Sequence, residues 1–520
     1  MTISKSNTMS TMTAIRKPAF WVMAVFALAA CSGPSLREDI IKAEASYASP
    51  PATEGILADM AHDIFSTHGT EHSGFKLLDK SYDGLFWRLA LIDSATTSLD
   101  IQTYLWYPDN TGRIILQRAV DAANRGVRVR LIVDDLLTIG QDQLLYELQH
   151  QPNIELRMFN PWEDRGTLSR AGEMIAEMER LNTRMHDKLM IVDGNAAVVG
   201  GRNLGDHYFG LSHAYNFHDL DLMGFGHIAR QSNAMFDHFW NSEWVVSAEN
   251  IDTQHDAGFT SGTWQKIRDK NAAAPELKAF GTEVADWAER LAEVAGELHP
   301  GTSYLVYDET TGDAIAQNVA DKMFGFMGQA QEELLVTNAY IIPGQPAIDF
   351  IQGLTDRGVR VGMLTNSLAS HDVPAVNSHY EPWRDDIIKA GADLYEFRAD
   401  AAIQSIVDVP PVKGEFTGLH TKAVVIDRKK VFIGSMNFDP RSFNINTEGG
   451  AFVDSPGLAN ALADVMERDM SPENAWQVHL NEDGEPYWVN SDETLDKQPA
   501  REGSQRVMNT IFKIFPKEQY

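Results

Sequence analysis

The chain of 520 residues carries 44 lysines and arginines against 73 aspartates and glutamates, a formal net charge of −29. Its composition, 43% hydrophobic and 22% charged, is that of an ordinary globular protein and excludes a disordered or collagen-like chain. The acidic balance disfavours binding to nucleic acid, which needs basic surface, and one cysteine excludes a disulfide framework or a thiolate metal cluster. The length suits two or three domains.

The N-terminal segment has the layout of a secretory signal. Arg16 and Lys17 precede an apolar run at 18–30, which is too short to cross about 30 Å of hydrocarbon as a helix. The run ends in LAAC at 28–31, which resembles a bacterial lipobox, where the peptide is cut before the cysteine and the cysteine is lipidated. We therefore predict lipidation of Cys31 and a lipid-anchored protein of the bacterial cell envelope, with its folded part in the periplasm; either membrane fits.

Two stretches of the chain, within 85–133 and 333–364, follow one strand–helix–strand pattern. Each contains the segment RGVRV, at 125–129 and 357–361, where a helix gives way to an apolar strand. This succession predicts parallel strands joined by crossover helices, and the separation of 232 residues indicates two copies of one domain.

A second, sharper repeat carries chemical groups. Each copy reads H-x-K, four residues, D, six residues, and then G-[GS]-x-N, and corresponding residues are 234 apart. The first copy holds His186, Lys188, Asp193 and Asn203, and the second holds His420, Lys422, Asp427 and Asn437. Agreement of the two copies at five positions, with equal spacing, excludes coincidence.

The spacing of the motif has a structural meaning. The segments LMIVD and AVVID are typical of buried strands, in which residues i and i+2 point to the same face. We therefore expect the histidine and lysine of each copy to project together. The aspartate falls on the opposite face beside a turn, where we expect it to brace the structure. The chain then returns as a second strand and brings the asparagine beside the histidine and lysine as a hydrogen-bond donor.

Paired histidines and lysines suit the transfer of a phosphodiester. Two lysines and two asparagines can neutralise the phosphate without a metal or other cofactor. One neutral histidine can attack phosphorus and the other can protonate the leaving alkoxide. Glu448 and Asp219, which follow the two motifs, are candidates to bond the far ring nitrogen of each histidine.

Metal binding is the alternative chemistry for paired histidines. The H-x-K motif offers one ligand and then a cation that repels a metal, so we expect no metal site. His207, His213 and His218 lie close together but lack regular ligand spacing, and we interpret them as solvated loop histidines.

The duplicated motif resembles that of the phospholipase D superfamily. Within it, the chain is similar to the bacterial cardiolipin synthases, and most similar to the cardiolipin synthase C group, through segments such as QTYLW at 102–106 and NFDPRS at 437–442. The resemblance implies two α/β domains, with mixed sheets flanked by helices, on a pseudo-twofold axis with one shared active site. It also implies a metal-free phosphohistidine mechanism, with His186 as nucleophile and His420 as general acid/base. A lipobox in place of N-terminal transmembrane helices is a departure from that family.

We accordingly predict a phosphatidyltransferase that moves a phosphatidyl group to phosphatidylglycerol and makes cardiolipin. The donor is phosphatidylglycerol or phosphatidylethanolamine, and the oligomeric state stays open. The alternative is a phospholipase D-type hydrolase that releases phosphatidic acid, with a nuclease or other phosphodiesterase disfavoured by the acidic surface. The predicted segments are a signal peptide at 1–30, a polar segment at 31–74, a first domain at 75–245, a linker with an amphipathic helix at 246–300, a second domain at 301–470 and a C-terminal extension at 471–520.

Overall fold

The computed structural model describes residues 43–138, 141–162, 173, 178–250, 262–282, 286–311 and 314–513. The predicted signal peptide and Cys31 lie outside these residues. None of the helices in the described part is both long and apolar enough to cross a membrane.

The first half of the chain builds one side of a mixed sheet. Its strands are β1 (His72–Leu78), β2 (Ser98–Thr103), β3 (Arg128–Asp134), β4 (Ile154–Phe159), β5 (Leu189–Val192), β6 (Ala196–Gly200), β7 (Asn216–His218), β8 (Asp221–Gly226) and β9 (Val245–Ser247). The order across the sheet is β9-β4-β3-β2-β5-β6-β8-β1. The pairs β2–β3 and β3–β4 are parallel, as the strand–helix–strand pattern predicts.

The second half repeats this arrangement. Its strands are β10 (His299–Tyr307), β11 (Glu309–Thr311), β12 (Ala314–Ala316), β13 (Glu333–Asn338), β14 (Arg360–Asn366), β15 (Asp393–Phe397), β16 (Thr417–Leu419), β17 (Lys422–Ile426), β18 (Lys430–Gly434), β19 (Gly449–Asp454), β20 (Ala475–Leu480), β21 (Pro486–Val489) and β22 (Thr494–Leu495). The order is β10-β19-β18-β17-β13-β14-β15-β20-β21-β22. Because β1 pairs with β10, the two halves form one 18-stranded sheet. Equivalent strands of the two halves follow in the same order on either side of this central pair, as a pseudo-twofold relation requires.

Helices cover the sheet on both sides. They are α1 (Ile56–His68), α2 (Ser81–Ser94), α3 (Asn110–Asn124), α4 (Asp142–Gln149), α5 (Met178–Asn182), α6 (His227–Trp240), α7 (Thr263–Ala273), α8 (Pro275–Phe280), α9 (Trp287–Ala295), α10 (Asn318–Met327), α11 (Gly344–Thr355), α12 (Pro374–Tyr380), α13 (Arg384–Lys389), α14 (Gln404–Val407), α15 (Pro440–Asn444), α16 (Pro456–Asp469) and α17 (Gly503–Phe512). Each half has its own apolar core, and another core joins side chains of α6 and α16, one helix from each half. Burial of apolar area from both halves therefore fixes them against each other.

Some segments outside the two predicted domains are built into the fold. Helix α1 belongs to the predicted polar segment 31–74 and packs on β1 and β8. The C-terminal segment 471–520 supplies β20, which pairs antiparallel with β15. The predicted linker 246–300 holds more than the one predicted helix: α8 ends at Phe280, because Gly281 has a left-handed φ of 76° that terminates a helix, and a separate helix, α9, begins at Trp287.

The motif aspartates anchor the sheet from behind the site. Asp193 lies in the β5–β6 turn with a φ of 56°, and its carboxylate accepts hydrogen bonds from the backbone N–H groups of Thr96, Thr97 and Ser98 and from both threonine hydroxyls. Asp427, with a φ of 50°, holds the equivalent turn. It accepts from the backbone N–H groups of Gln331, Glu332 and Glu333.

Replacing these aspartates tests their bracing role. We expect Asp193→Ala to lower the free energy of unfolding by about 3 kcal/mol, because five donors lose a buried, charged acceptor. Asp427→Ala, at a half-exposed turn with backbone donors alone, is the matched control, with an expected loss of about 1 kcal/mol. Urea unfolding measures both. If Asp193→Ala lowers the free energy of unfolding by less than Asp427→Ala does, the bracing role of Asp193 is contradicted.

Candidate active site

The histidine and lysine of the first motif lie just before strand β5. His186 and Lys188 precede β5, so the strand alternation from which their common direction was predicted does not apply to them. The segment is instead held by the other half of the molecule: the backbone N–H of His186 donates to the carbonyl of Thr447 at 3.0 Å, and that of Thr447 donates to Arg184 at 2.9 Å. This short parallel bridge fixes the histidine backbone across the interface between the halves.

The second motif is held in a similar way. His420 follows β16, which pairs parallel with β7 of the first half, and Lys422 begins β17. The backbone N–H of His420 donates to the carbonyl of His218 at 2.8 Å. The backbone of each histidine is therefore hydrogen-bonded to the other half of the molecule.

The two halves exchange carboxylates at the histidines. Oε2 of Glu448, from the second half, lies 2.9 Å from Nδ1 of His186, and Oδ2 of Asp219, from the first half, lies 2.6 Å from Nδ1 of His420. Both carboxylates are fully buried. The sequence pointed to these two acids as ring partners but left open which histidine each serves. With Nδ1 occupied, Nε2 of each ring is the atom left for substrate.

The second residue of each G-[GS]-x-N segment, Gly201 or Ser435, contacts one of these carboxylates. A Cβ at Gly201 would come within 2.5 Å of Oδ1 of Asp219, so only glycine leaves room for that carboxylate. In the second half Ser435 occupies the corresponding position, and its hydroxyl donates to Oε2 of Glu448. The variable position of the motif is therefore glycine where Asp219 needs the space and serine where Glu448 accepts a hydrogen bond.

The lysines are arranged symmetrically. Nζ of Lys188 donates to the carbonyl of His186, and Nζ of Lys422 donates to the carbonyl of His420. Each ammonium also lies near a tyrosine ring, Lys188 at 5.3 Å from the ring of Tyr104 and Lys422 at 5.8 Å from that of Tyr340. Both positive charges are thereby fixed beside the histidines.

The asparagines differ between the halves. Nδ2 of Asn203 donates to the hydroxyl of Tyr208 at 2.8 Å, and its Oδ1 accepts from the backbone N–H of Leu105 at 3.2 Å. Asn437 is buried, and its Oδ1 has no hydrogen-bond partner in the described part of the chain. Asn437 is therefore the asparagine with spare hydrogen-bonding capacity in the site.

The electrostatic surroundings of the two histidines differ. Burial and the charges of Lys188 and Lys422 hold the pKa of His186 well below its usual value, so its ring is neutral. Burial and Lys422 also lower the pKa of His420, but Asp219 opposes them. Burial favours the neutral acid of Asp219, yet the charges of His420 and Lys422 outweigh it and hold the pKa of that carboxyl below its usual range.

The two carboxylates complete this asymmetry. Burial raises the pKa of Glu448 to about 7, against the opposing charge of Lys188. His186 thus faces an acid that is only partly ionised near neutral pH, whereas His420 faces one that stays ionised. A proton is therefore better accommodated on His420 than on His186.

The lysines predict how activity depends on pH. Burial lowers the pKa of Lys188 to about 7 and that of Lys422 to about 8. Because deprotonation removes the positive charge that faces the phosphate, we expect kcat/KM to fall as pH rises above about 7, while a bound anion moves the fall in kcat to higher pH. The folded chain binds fewer protons here than the unfolded chain, so the lysines do not themselves destabilise the fold as pH rises. A kcat/KM that stays constant from pH 7 to 9.5 contradicts this prediction.

Sequence reasoning missed several groups that surround the histidines. The ring of Tyr104 packs edge-on against His186 at 5.2 Å, and that of Tyr208 against His420 at 5.1 Å. The hydroxyl of Tyr340 donates to Asp372 at 2.8 Å. The repeated tyrosine after β2 and β13 was a usable signal, whereas nothing in the sequence marked Asp372.

The interpretation of the nearby histidines as solvated is wrong in part. His218 is buried, with Nε2 at 2.7 Å from Asp469 of the other half, and His207 packs at 4.8 Å from the ring of Tyr107. His213 alone of the three is exposed, with 66% of its side chain accessible. Strand β7 places His218 in the interface, which its loop-like sequence did not indicate.

The fold and the site together define a class of protein. Two His-Lys-Asn sets, one from each half, meet with crossed carboxylates, which is the arrangement expected of a phospholipase D-like protein. The family model described as "Cardiolipin synthase, PLD-like domain" matches residues 89–240 and 323–470. The chain belongs to this family of phospholipase D-like cardiolipin synthases.

Individual relatives agree with this assignment. The chain is 33% identical to "Cardiolipin synthase C" of Escherichia coli strain K12 over 471 residues, which covers 89% of this chain and 99% of that protein. It is 20% identical to "Major cardiolipin synthase ClsA" of Bacillus subtilis strain 168 over 439 residues, 84% of this chain and 76% of that one. The crystal structure of phosphatidylserine synthase from Haemophilus influenzae Rd KW20 has a similar fold, with a TM-score of 0.54 at 13% identity, over 88% of this chain and 97% of that chain.

Proposed function

We propose that this protein is a phosphatidyltransferase that makes cardiolipin, with His186 as nucleophile and His420 as general acid and base. The observation that carries the proposal is the exchange of carboxylates between the halves, which makes one site from two motifs and gives the histidines different proton affinities. Membership of the cardiolipin synthase family supports the choice of substrate.

The proposed first step forms a covalent intermediate. Nε2 of neutral His186 attacks the phosphorus of a donor phospholipid, the bond from phosphorus to the headgroup oxygen breaks, and protonated His420 gives its proton to that oxygen. Lys188 and Lys422 stabilise the charge on the non-bridging oxygens. The donor headgroup then leaves as a free alcohol whose hydroxyl proton came from His420.

The proposed second step reverses the roles of the proton. His420 removes the proton from a hydroxyl of phosphatidylglycerol, the alkoxide oxygen attacks phosphorus, and the bond from phosphorus to His186 breaks. Cardiolipin is released and both histidines return to their starting states. If water takes the place of the lipid hydroxyl, the product is phosphatidic acid.

The identity of the products tests the proposal. The purified protein is incubated with vesicles of phosphatidylglycerol, with and without phosphatidylethanolamine, and the lipids are identified by mass. We expect cardiolipin in at least one mixture, and the comparison shows whether phosphatidylethanolamine serves as donor. Phosphatidic acid without cardiolipin would contradict transfer and favour the hydrolase.

We further propose that Cys31 is lipidated and anchors the enzyme in the cell envelope, with the catalytic part in the periplasm. The support is the lipobox-like sequence at 28–31 after a short apolar run. Metabolic labelling with a fatty acid should mark the full chain but not Cys31→Ser, with Ser32→Ala as the control. An unlabelled wild-type chain would contradict the anchor without bearing on the chemistry.

A further inference from the structure

A cavity of about 240 Å³ lies beside the active site in the first half of the molecule. It is bounded by α3, α4, α7, β3 and β4. Aliphatic side chains make up most of its wall, among them Leu116, Leu131, Leu145, Leu148 and Ile267. Protein interiors leave few spaces larger than a water molecule, so a cavity of this size next to a reactive centre points to a ligand.

One wall of the cavity is bonded to the segment that carries the proposed nucleophile. Asp134 at the end of β3 lines the cavity, and its carboxylate accepts from the backbone N–H of Met185 at 3.0 Å and from Arg184 at 3.1 Å. Met185 immediately precedes His186. A ligand whose polar end lies at His186 therefore has apolar space within reach.

An aromatic wall separates the cavity from the second histidine. Tyr107 lines the cavity, and its ring lies 4.8 Å from that of His207. The ring of His207 lies 4.5 Å from that of Tyr208, which in turn lies 5.1 Å from that of His420. A row of aromatic rings thus connects the wall of the cavity to His420.

The chemistry of the cavity selects its occupant. A wall of leucines and isoleucine removes hydrocarbon from water and offers little to a sugar, a base or a peptide backbone. We propose that this cavity binds one fatty acyl chain of the phospholipid whose phosphodiester lies at His186, an inference that rests on the proposed function.

The second half differs at the corresponding place. Beside β15, the counterpart of β4, the side chains of Tyr380, Arg384 and Trp488 all bond the buried carboxylate of Glu396, at 3.0, 2.6 and 2.8 Å. The apolar cleft between α10 and α11 in that half measures about 40 Å³. We therefore assign binding of the acyl chain to the first half alone.

Filling the cavity should make the enzyme selective for short chains. The test compares kcat/KM for dioleoyl- and dihexanoyl-phosphatidylglycerol, measured as transfer product. Leu144→Trp enlarges a half-buried side chain of the cavity wall, and Gln141→Trp does so near the start of α4. We expect each to lower the long-chain to short-chain ratio of kcat/KM by about tenfold or more, since each excluded methylene loses binding energy. Activity on the short chain shows that the variant is folded.

A matched control separates this effect from a general cost of tryptophan. Leu495→Trp changes a half-buried leucine that packs on the core of the second half and lines neither cavity. Its ratio should equal that of the wild type. An unchanged ratio in both cavity variants, the same fall in the control, or loss of both substrates in both cavity variants overturns the acyl-chain site. A wild-type enzyme that makes no transfer product from either lipid overturns the proposed function instead.

Discussion

Replacing His186 with alanine is expected to lower kcat for phosphatidyl transfer by at least about four orders of magnitude. The ring supplies the bond to phosphorus that divides the reaction into two steps, and the charges of both lysines act on it. Glu448 and Thr447 hold that ring in place but cannot replace it. Product formation from phosphatidylglycerol vesicles measures the loss.

Two controls make this result specific. His213→Ala removes an exposed histidine of the same half and should leave kcat unchanged. Circular dichroism and thermal unfolding should show that the His186 variant is folded, because its ring is a small part of the interface. A His186→Ala variant that retains a tenth of the activity would exclude this histidine as the nucleophile.

Replacing His420 with alanine is expected to lower kcat on natural lipids by about two to four orders of magnitude, through a different step. His420 protonates the departing alkoxide. A phosphatidyl donor whose leaving group is stable as an anion does not need this proton, so its first step should proceed in the His420 variant. With phosphatidyl-p-nitrophenol we expect His420→Ala to release about one equivalent of p-nitrophenolate rapidly and then to slow, because the same histidine must activate the acceptor.

The burst distinguishes the two histidines. His186→Ala should give no rapid release even from the activated donor, whereas His420→Ala should give it. The physical reason is the difference in their partners, a partly ionised Glu448 beside His186 and an ionised Asp219 beside His420. A burst in His186→Ala and none in His420→Ala would show that the roles are reversed.

Much of this architecture could be predicted because it is repeated. The two RGVRV segments marked equivalent helix-to-strand connections, and the duplicated motif fixed one register for both halves. The parallel pairs β2–β3 and β13–β14 followed from local periodicity. The bracing aspartates followed from strand alternation, since the turn after β5 or β17 puts them on the face away from the lysines.

What could not be predicted depends on contacts between distant segments. His186 meets Glu448 across 262 residues, and His420 meets Asp219 across 201, so motif spacing alone could not assign the pairs. The bridge from His186 to Thr447 also explains why the histidine lies before its strand. Periodicity within a segment reports its own buried face and says nothing about which partner buries it.

The acidic net charge of the chain is compatible with a site that binds phosphate. A net charge of −29 describes the whole chain, most of which is solvated, whereas Lys188 and Lys422 place two cations beside the histidines in the site. Clefts focus the field of a few fixed charges, so an acidic protein can still hold a phosphate. The composition therefore bears on binding at the surface and does not exclude phosphate chemistry in the site.

The most direct test of the two-histidine account is to identify the residue that carries the phosphatidyl group. His420→Ala is mixed with phosphatidyl-p-nitrophenol, quenched at alkaline pH to preserve a phosphorus–nitrogen bond, and mapped by mass spectrometry of its peptides. We predict about one phosphatidyl group per chain on His186, and none in His186→Ala. A label on another residue, or a burst of p-nitrophenolate without any labelled peptide, would contradict the account.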